Sequence, residues 1–181
     1  MKTMPVPCTK EEMDKIIAAA IDSDFFYMLF NVAKKTGRRL GEYYDVQVKD
    51  IDYERKVMMT KVLKRRQKVY KEALLDDELI YLLKKYIMNN KLKLDDYIFR
   101  AYSYRHIQNR IAFYSKQAGI PHKVSFHNFR HYLITGLIKN GFSYDQVSKI
   151  TGHSSLGVIG GYDHTIASDI RDKALTAIKN L

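Results

Sequence analysis

One stretch of this chain, YYDVQVKDIDYERKVMMTKVLKRRQKVYKEALL at residues 43–75, alternates polar residues with β-branched or aromatic ones. A period of two turns one side of a strand toward a core and the other toward water. With a turn expected at Asp52 to Arg55, the stretch predicts two or three antiparallel strands. The segments around it repeat at helical spacing. The expected fold class is therefore α+β: mainly α-helical, with one small antiparallel β-sheet.

The helices announce their ends. Thr9 with Glu12 three residues on forms a capping box that opens a helix to about residue 21. DSDFFYMLFNVAKKTG predicts a buried helix capped by Asp22 or Ser23 and stopped by Gly37. DDELIYLLKKYIMNN and YSYRHIQNRIAFYSKQAG return to helical period, the second before a Gly119-Ile120-Pro121 stop. A helix from Phe126 closes at Asn140-Gly141, and a short one spans Ser143 to Ile150. A tail helix over residues 166–181 carries Ile166, Ile170, Ala174, Ala177 and Ile178 at helical spacing. No repeat, linker or low-complexity segment divides the chain, so residues 1–181 are expected to form a single domain.

Charge narrows the partner. Thirty-one Lys and Arg against 20 Asp and Glu give a net +11, which suits a polyanion, and nucleic acid is the leading one. The single cysteine, Cys8, excludes an internal disulfide framework and a thiolate zinc cluster. No apolar run approaches a membrane span or a secretory segment. The expected setting is a reducing, intracellular, cytoplasmic one without a membrane partner.

The helix FHNFRHYLITGL is unusual in opening with His127, Arg130 and His131 in one turn. His127 and Arg130, three apart, project together. An anion there would meet a guanidinium fork, an imidazole and free backbone N–H groups, as phosphate commonly does. In isolation an HxxR is more often a solvated pair. His127 and His131 also have zinc spacing, but no Glu stands between them and no nearby carboxylate completes a set, so no metal is expected.

Laid in order, TGRRLGE (36–42), the Lys-rich strand pair, HNFRH (127–131), TGHSS (151–155) and GGYDH (160–164), with His153 and Tyr162 nine apart, closely resemble the tyrosine recombinase, or phage integrase, family. The resemblance covers that family's whole catalytic domain, of the DNA breaking-rejoining fold. It implies that Arg39 is the first catalytic arginine with Glu42 as its supporting acid. His127 and Arg130 are then the HxxR pair, His153 donates a hydrogen bond to the phosphate, and Tyr162 is the nucleophile. A β-hairpin lysine serves as general acid, Lys64 in the first place and Lys61 in the second. Lys61, Arg65, Arg66 and Lys68 would meet DNA phosphates.

Elementary chemistry agrees. Metal-free cleavage of a phosphodiester needs a nucleophile, proton transfer at both ends and positive charge around the non-bridging oxygens. A Tyr hydroxyl ionises near pH 10, so Tyr162 needs a base, for which His127 is the candidate. A 3′-phosphotyrosine conserves the bond energy, and a 5′-hydroxyl from another strand can reverse the step without ATP. The expected function is thus site-specific recombination with no cofactor. Double-stranded DNA is the expected partner, with self-association to four protomers on two sites. Alternatives are a type IB topoisomerase-like or telomere-resolving enzyme, and a non-catalytic DNA-binding module.

Two departures from the family pattern stand out. Thr151 occupies a position where Leu is common, and Gly160 and Gly161 precede Tyr162 where larger residues are usual, giving that segment freedom to swing. The family's N-terminal clamping domain also has no counterpart before the first helix, which implies an excised catalytic domain or a minimal recombinase.

Overall fold

The computed structural model describes residues 7–64, 67–152 and 168–181, with side chains outside 62–68, 168 and 169. Arg65, Arg66, His153, Gly160, Gly161 and Tyr162 lie outside the described residues, as do the side chains of Lys64 and Lys68.

Helix α1 (Lys10–Ala19) starts on the Thr9–Glu12 capping box in both directions. Helix α2 (Asp24–Thr36) is capped by Ser23 and runs through the middle of the core, with Phe25, Phe26, Leu29, Phe30, Val32 and Ala33 buried. It ends on Gly37 in the left-handed region at φ 60°. A residue with a Cβ pays there, so the glycine fixes where the chain turns.

The alternating stretch departs from expectation over its first third. Residues Leu40–Tyr44 form a short helix, α3, and Val48–Asp50 a 3-10 turn. Tyr43 and Val46 bury their side chains from this irregular backbone. Its peptide groups pair with residues 94–98 instead of a strand, through Val48 N to Asp96 O, Lys49 N to Leu94 O and Ile98 N to Val46 O. The sheet itself has three strands, β1 (Ile51–Asp52), β2 (Val57–Lys64) and β3 (Gln67–Leu74), antiparallel in the order β1-β2-β3. The expected turn after Asp52 joins the first two.

Helices α4 (Asp77–Asn89), α5 (Tyr104–Gln117), α6 (Phe126–Lys139), α7 (Tyr144–Thr151) and α8 (Ser168–Lys179) complete the fold. Among the described residues two apolar clusters form the core, and α6 is the wall between them. Phe126, Phe129 and Tyr132 face the cluster built on α2. Leu133 and Leu137 face a second cluster with Val57 and Leu74 of the hairpin base, Val147 and Ile150 of α7, and Ala174, Ala177 and Ile178 of α8. The tail helix packs on its own domain. Leu181 lies against Gly136, where a side chain would collide with it, and Tyr132 Oη donates to Leu181 O at 2.7 Å. Among the described residues no helix is long and apolar enough to cross a membrane.

Two glycines separate backbone strain from crowding. Gly37 and Gly141 both have positive φ, but a Cβ on Gly37 would sit 2.8 Å from Leu133 Cδ2, whereas one on Gly141 would meet nothing within 4 Å. Gly141→Ala should lose about 1 kcal/mol and Gly37→Ala about 2–3 kcal/mol, read as urea midpoints at constant slope. Equal losses would mean that α6 yields freely to the loop.

Candidate active site

The site grows from the loop that follows α2. Arg38 N–H donates to Tyr43 Oη at 2.9 Å, and the Tyr43 and Thr36 hydroxyls meet at 2.6 Å. Thr36 Oγ1 also donates to Val32 O at 2.8 Å, so the Tyr43 hydroxyl is the donor to Thr36. Burial pushes the Tyr43 hydroxyl well above its ordinary range, which keeps this relay neutral. The loop is thus pinned from beneath by a side chain four residues beyond it. Pinned this way, two consecutive arginines part company: Arg38 turns into the core and Arg39 turns outward.

Arg39 caps α3 and shares Glu42 with its own backbone. Its Nη1 donates to Glu42 Oε1 at 3.0 Å while its N–H donates to Oε2 at 3.1 Å. The Glu42 side chain is 7% exposed against 45% for Arg39, so the carboxylate is the fixed partner and the guanidinium keeps an open side.

Arg130 projects from the first turn of α6 and is buried. Its Nη1 donates to Gly37 O at 2.7 Å and to Thr151 O at 2.8 Å, so one nitrogen ties the ends of α2 and α7 to α6. Its Nη2 is buried with no partner among the described residues. Thr151 Oγ1 turns back to Val147 O at 2.7 Å, which explains how a polar residue occupies that buried position. Gly152 then takes a left-handed conformation at φ 72°, and the Arg38 guanidinium lies where any side chain on it would stand. Arg38 also donates to the Glu72 carbonyl of β3.

Arg38, Arg39 and Arg130 are near enough to repel one another, and burial pulls Arg38 down to about 10. His127 belongs to the same field. Partial desolvation lowers its pKa below the ordinary value, and the neighbouring His131, Arg130 and Arg39 add to the shift. Its ring stands edge-on to that of His131 with centroids 5.0 Å apart. The expected residues Arg39, Glu42, His127 and Arg130 therefore converge. Lys61 does not join them: it lines a cleft with Asp45, Asp50, Tyr70, Tyr97 and Arg100. His153, Tyr162, Arg65, Arg66 and the side chains of Lys64 and Lys68 are outside the described residues.

Arg38 and Tyr43 were missed as parts of the site. The available signal was the Arg-Arg pair after a helix-ending glycine: on extended backbone, neighbours point to opposite sides, so one had to go inward.

The sign of the His127 shift makes a pH test. The unfolded imidazole takes its proton near 6.5, before the folded one does, so stability falls as pH drops below about 6.5 and the penalty is absent above it. The His127 ring signals in NMR should titrate with a midpoint below 6.5, and His131→Ala, removing one like charge, should raise it. A midpoint unmoved by His131→Ala would leave desolvation and the two arginines as the cause.

Comparison with known proteins agrees with this arrangement. The chain matches the phage integrase family over residues 8–168. It is 27% identical over 153 residues to the tyrosine recombinase XerA of Saccharolobus solfataricus, covering 84% of this chain and 50% of that one. Against the crystal structure of XerA recombinase the TM-score is 0.73 at 26% identity, covering 86% of this chain and 58% of that one. The integrase from mycobacterium phage Brujita shares the fold at TM-score 0.70 and 16% identity, covering 100% of this chain and 59% of that one. A lambda integrase tetramer bound to a Holliday junction shares it at TM-score 0.66 and 19% identity, covering 96% and 50%. The chain thus spans between half and three fifths of the length of these relatives. With the family matched over residues 8–168, and Arg39, Glu42, His127 and Arg130 brought together, the chain belongs to the phage integrase family.

Proposed function

We propose that this chain carries the catalytic domain of a tyrosine site-specific recombinase acting on double-stranded DNA. The observation that supports this most is Arg130: its Nη1 is spent on two carbonyls, and its buried Nη2 is without a partner among the described residues. An anionic oxygen arriving between Arg130 and Arg39 would satisfy that donor, and two guanidiniums would stabilise the charge that builds on a pentavalent phosphorus. In this reading Tyr162 Oη attacks the phosphorus while His127, kept neutral at physiological pH by its lowered pKa, takes the phenolic proton. The phosphorus–O5′ bond breaks, the chain becomes joined to the 3′-phosphate, and Lys64 protonates the departing 5′-oxygen. His153 donates to the phosphate. Attack by a 5′-hydroxyl of a second strand runs the same steps backwards and needs no ATP.

Lys64 stands first and Lys61 second as the acid, since Lys61 lines a cleft apart from Arg39 and Arg130. Lys61, Arg65, Arg66 and Lys68 then serve the flanking phosphates, and the DNA-bound lambda tetramer supports four copies in a synapse. Acting on DNA would place the protein inside the cell.

Two experiments test the reading. Wild-type protein incubated with a nicked suicide duplex and EDTA should give a protein–DNA adduct on a denaturing gel, and Tyr162→Phe should bind equally well and give none. Binding without an adduct from wild type would return the chain to the DNA-binding modules. Lys64→Ala should slow cleavage about 10²–10⁴-fold and recover when sulfur, a leaving atom that needs no proton, replaces the bridging 5′-oxygen. If Lys61→Ala showed the loss and the rescue instead, the acid would be Lys61.

A further inference from the structure

Away from this site, two residues at the start of α1 and one far along the chain bring a thiol, a carboxylate and an imidazole together. Cys8, Glu12 and His122 each offer one ligand atom, and these lie within 4.8 Å of one another. Cys8 is buried just ahead of α1, Glu12 is in its first turn, and His122 stands in the connection between α5 and α6, 110 residues on. We infer that Cys8, Glu12 and His122 form a binding site for a zinc-class divalent ion, one that ties the start of α1 to the connection leading into α6. This inference does not depend on the recombinase reading.

The donor set selects the metal. Sulfur, imidazole nitrogen and one carboxylate oxygen suit Zn²⁺ or Co²⁺, whereas Mg²⁺ and Ca²⁺ want oxygen. One thiolate is too few for a zinc-finger cluster, which is why composition argued against zinc, but the mixed set needs only one. Zinc bonds of about 2.0–2.3 Å put ligands less than about 4 Å apart, a separation that Glu12 Oε1 and His122 Nε2 already have at 3.2 Å and that no pair exceeds by more than about an ångström.

The surroundings are already arranged for it. Glu12 Oε2 accepts the Thr9 N–H of the capping box at 2.9 Å, which fixes the carboxylate and leaves Oε1 facing His122 Nε2 at 3.2 Å. His122 Nδ1 is buried with no partner among the described residues, so one imidazole nitrogen stays available whichever faces Glu12. An Asn128 side-chain hydrogen bond reaches Cys8 and favours the thiolate, as outer groups do around bound metals. Asn128 is also the residue beside His127, and its Oδ1 accepts from Ser125 N at 2.9 Å at the start of α6. Metal at Cys8 would therefore stiffen the turn that carries His127 and Arg130.

Cobalt provides the test. Titrating the full chain with Co²⁺ under reducing conditions should give one equivalent of binding with a sulfur-to-cobalt charge-transfer band in the near ultraviolet and visible bands of tetrahedral cobalt. Zn²⁺ should displace it. Cys8→Ser should abolish the charge-transfer band, and His122→Ala should weaken binding at least tenfold, while His131→Ala should change neither. No band with wild-type protein, or a band that survives Cys8→Ser, would overturn the assignment. Binding lost with His131→Ala would move the metal to the His127–His131 pair. If His122→Ala proved unstable, His122→Gln, which keeps a polar side chain there, should show the same loss.

Discussion

Arg130 is 2% exposed, and its Nη1 donates to carbonyls that end two different helices, Gly37 after α2 and Thr151 at the close of α7. The last carbonyls of a helix lack intrahelical donors and carry the negative end of its dipole. Two such ends converging on one guanidinium offset part of its desolvation without a carboxylate of its own. That solution is restrictive. Gly37 must present its carbonyl from a left-handed turn, α7 must stop at Thr151, and α6 must start where Arg130 can reach both. The relative placement of three helices is thus set by one planar cation, and the residue that follows, Gly152, is placed with them.

The same arrangement stores repulsion. Arg38 and Arg130 are both buried and Arg39 adjoins them, while Glu42, bonded to Arg39, is the acid whose charge offsets theirs. Core cations near one another are unfavourable unless something else is gained, and a buried guanidinium with orphaned nitrogens adds a further penalty. Arg38 leaves Nε and Nη1 without a partner among the described residues, and Arg130 leaves Nη2. A dianionic phosphorane in their midst would turn that repulsion into attraction. On the recombinase reading, local instability and affinity for developing negative charge would be two aspects of one geometry.

Much of this was legible in the chain and some was not, for physical reasons. Helix ends were readable because caps are local: Thr9 with Glu12, Ser23 and Gly37 act within four residues. The convergence of Arg39, Glu42, His127 and Arg130 was readable because the motif order carries it. The helix at Leu40–Tyr44 was not, since YYDVQV alternates like a strand and Tyr43 takes its conformation from hydroxyl bonds to Thr36 and the Arg38 backbone. Nor does anything between residues 36 and 42 say that Arg38 is held beneath Gly152, more than a hundred residues away. The Cys8–Glu12–His122 cluster was hidden for the same reason: Cys8 and Glu12 are four apart, but two donors make no metal motif and the third, His122, is 110 residues from Glu12.

Helix α6 explains why the site can be demanding without the fold giving way. Its first turn is locked among rings, Phe126 against Phe129 and Phe129 against Phe30 with centroids 5.7 and 5.5 Å apart. Its far half is locked by the tail, where Leu181 fills the space over Gly136 and Lys10 Nζ closes on Asn180 O at 2.8 Å. Removing α8 would uncover Leu133, Leu137 and Phe142 together, a loss of several kcal/mol of apolar burial unless an equivalent surface replaced it. A second copy of α8 is such a surface by identity of sequence, so exchange of tails between copies would conserve these contacts at the cost of association entropy alone. The end of α6 that carries His127 and Arg130 would stay anchored by its own aromatic core throughout, because none of those rings belongs to the tail.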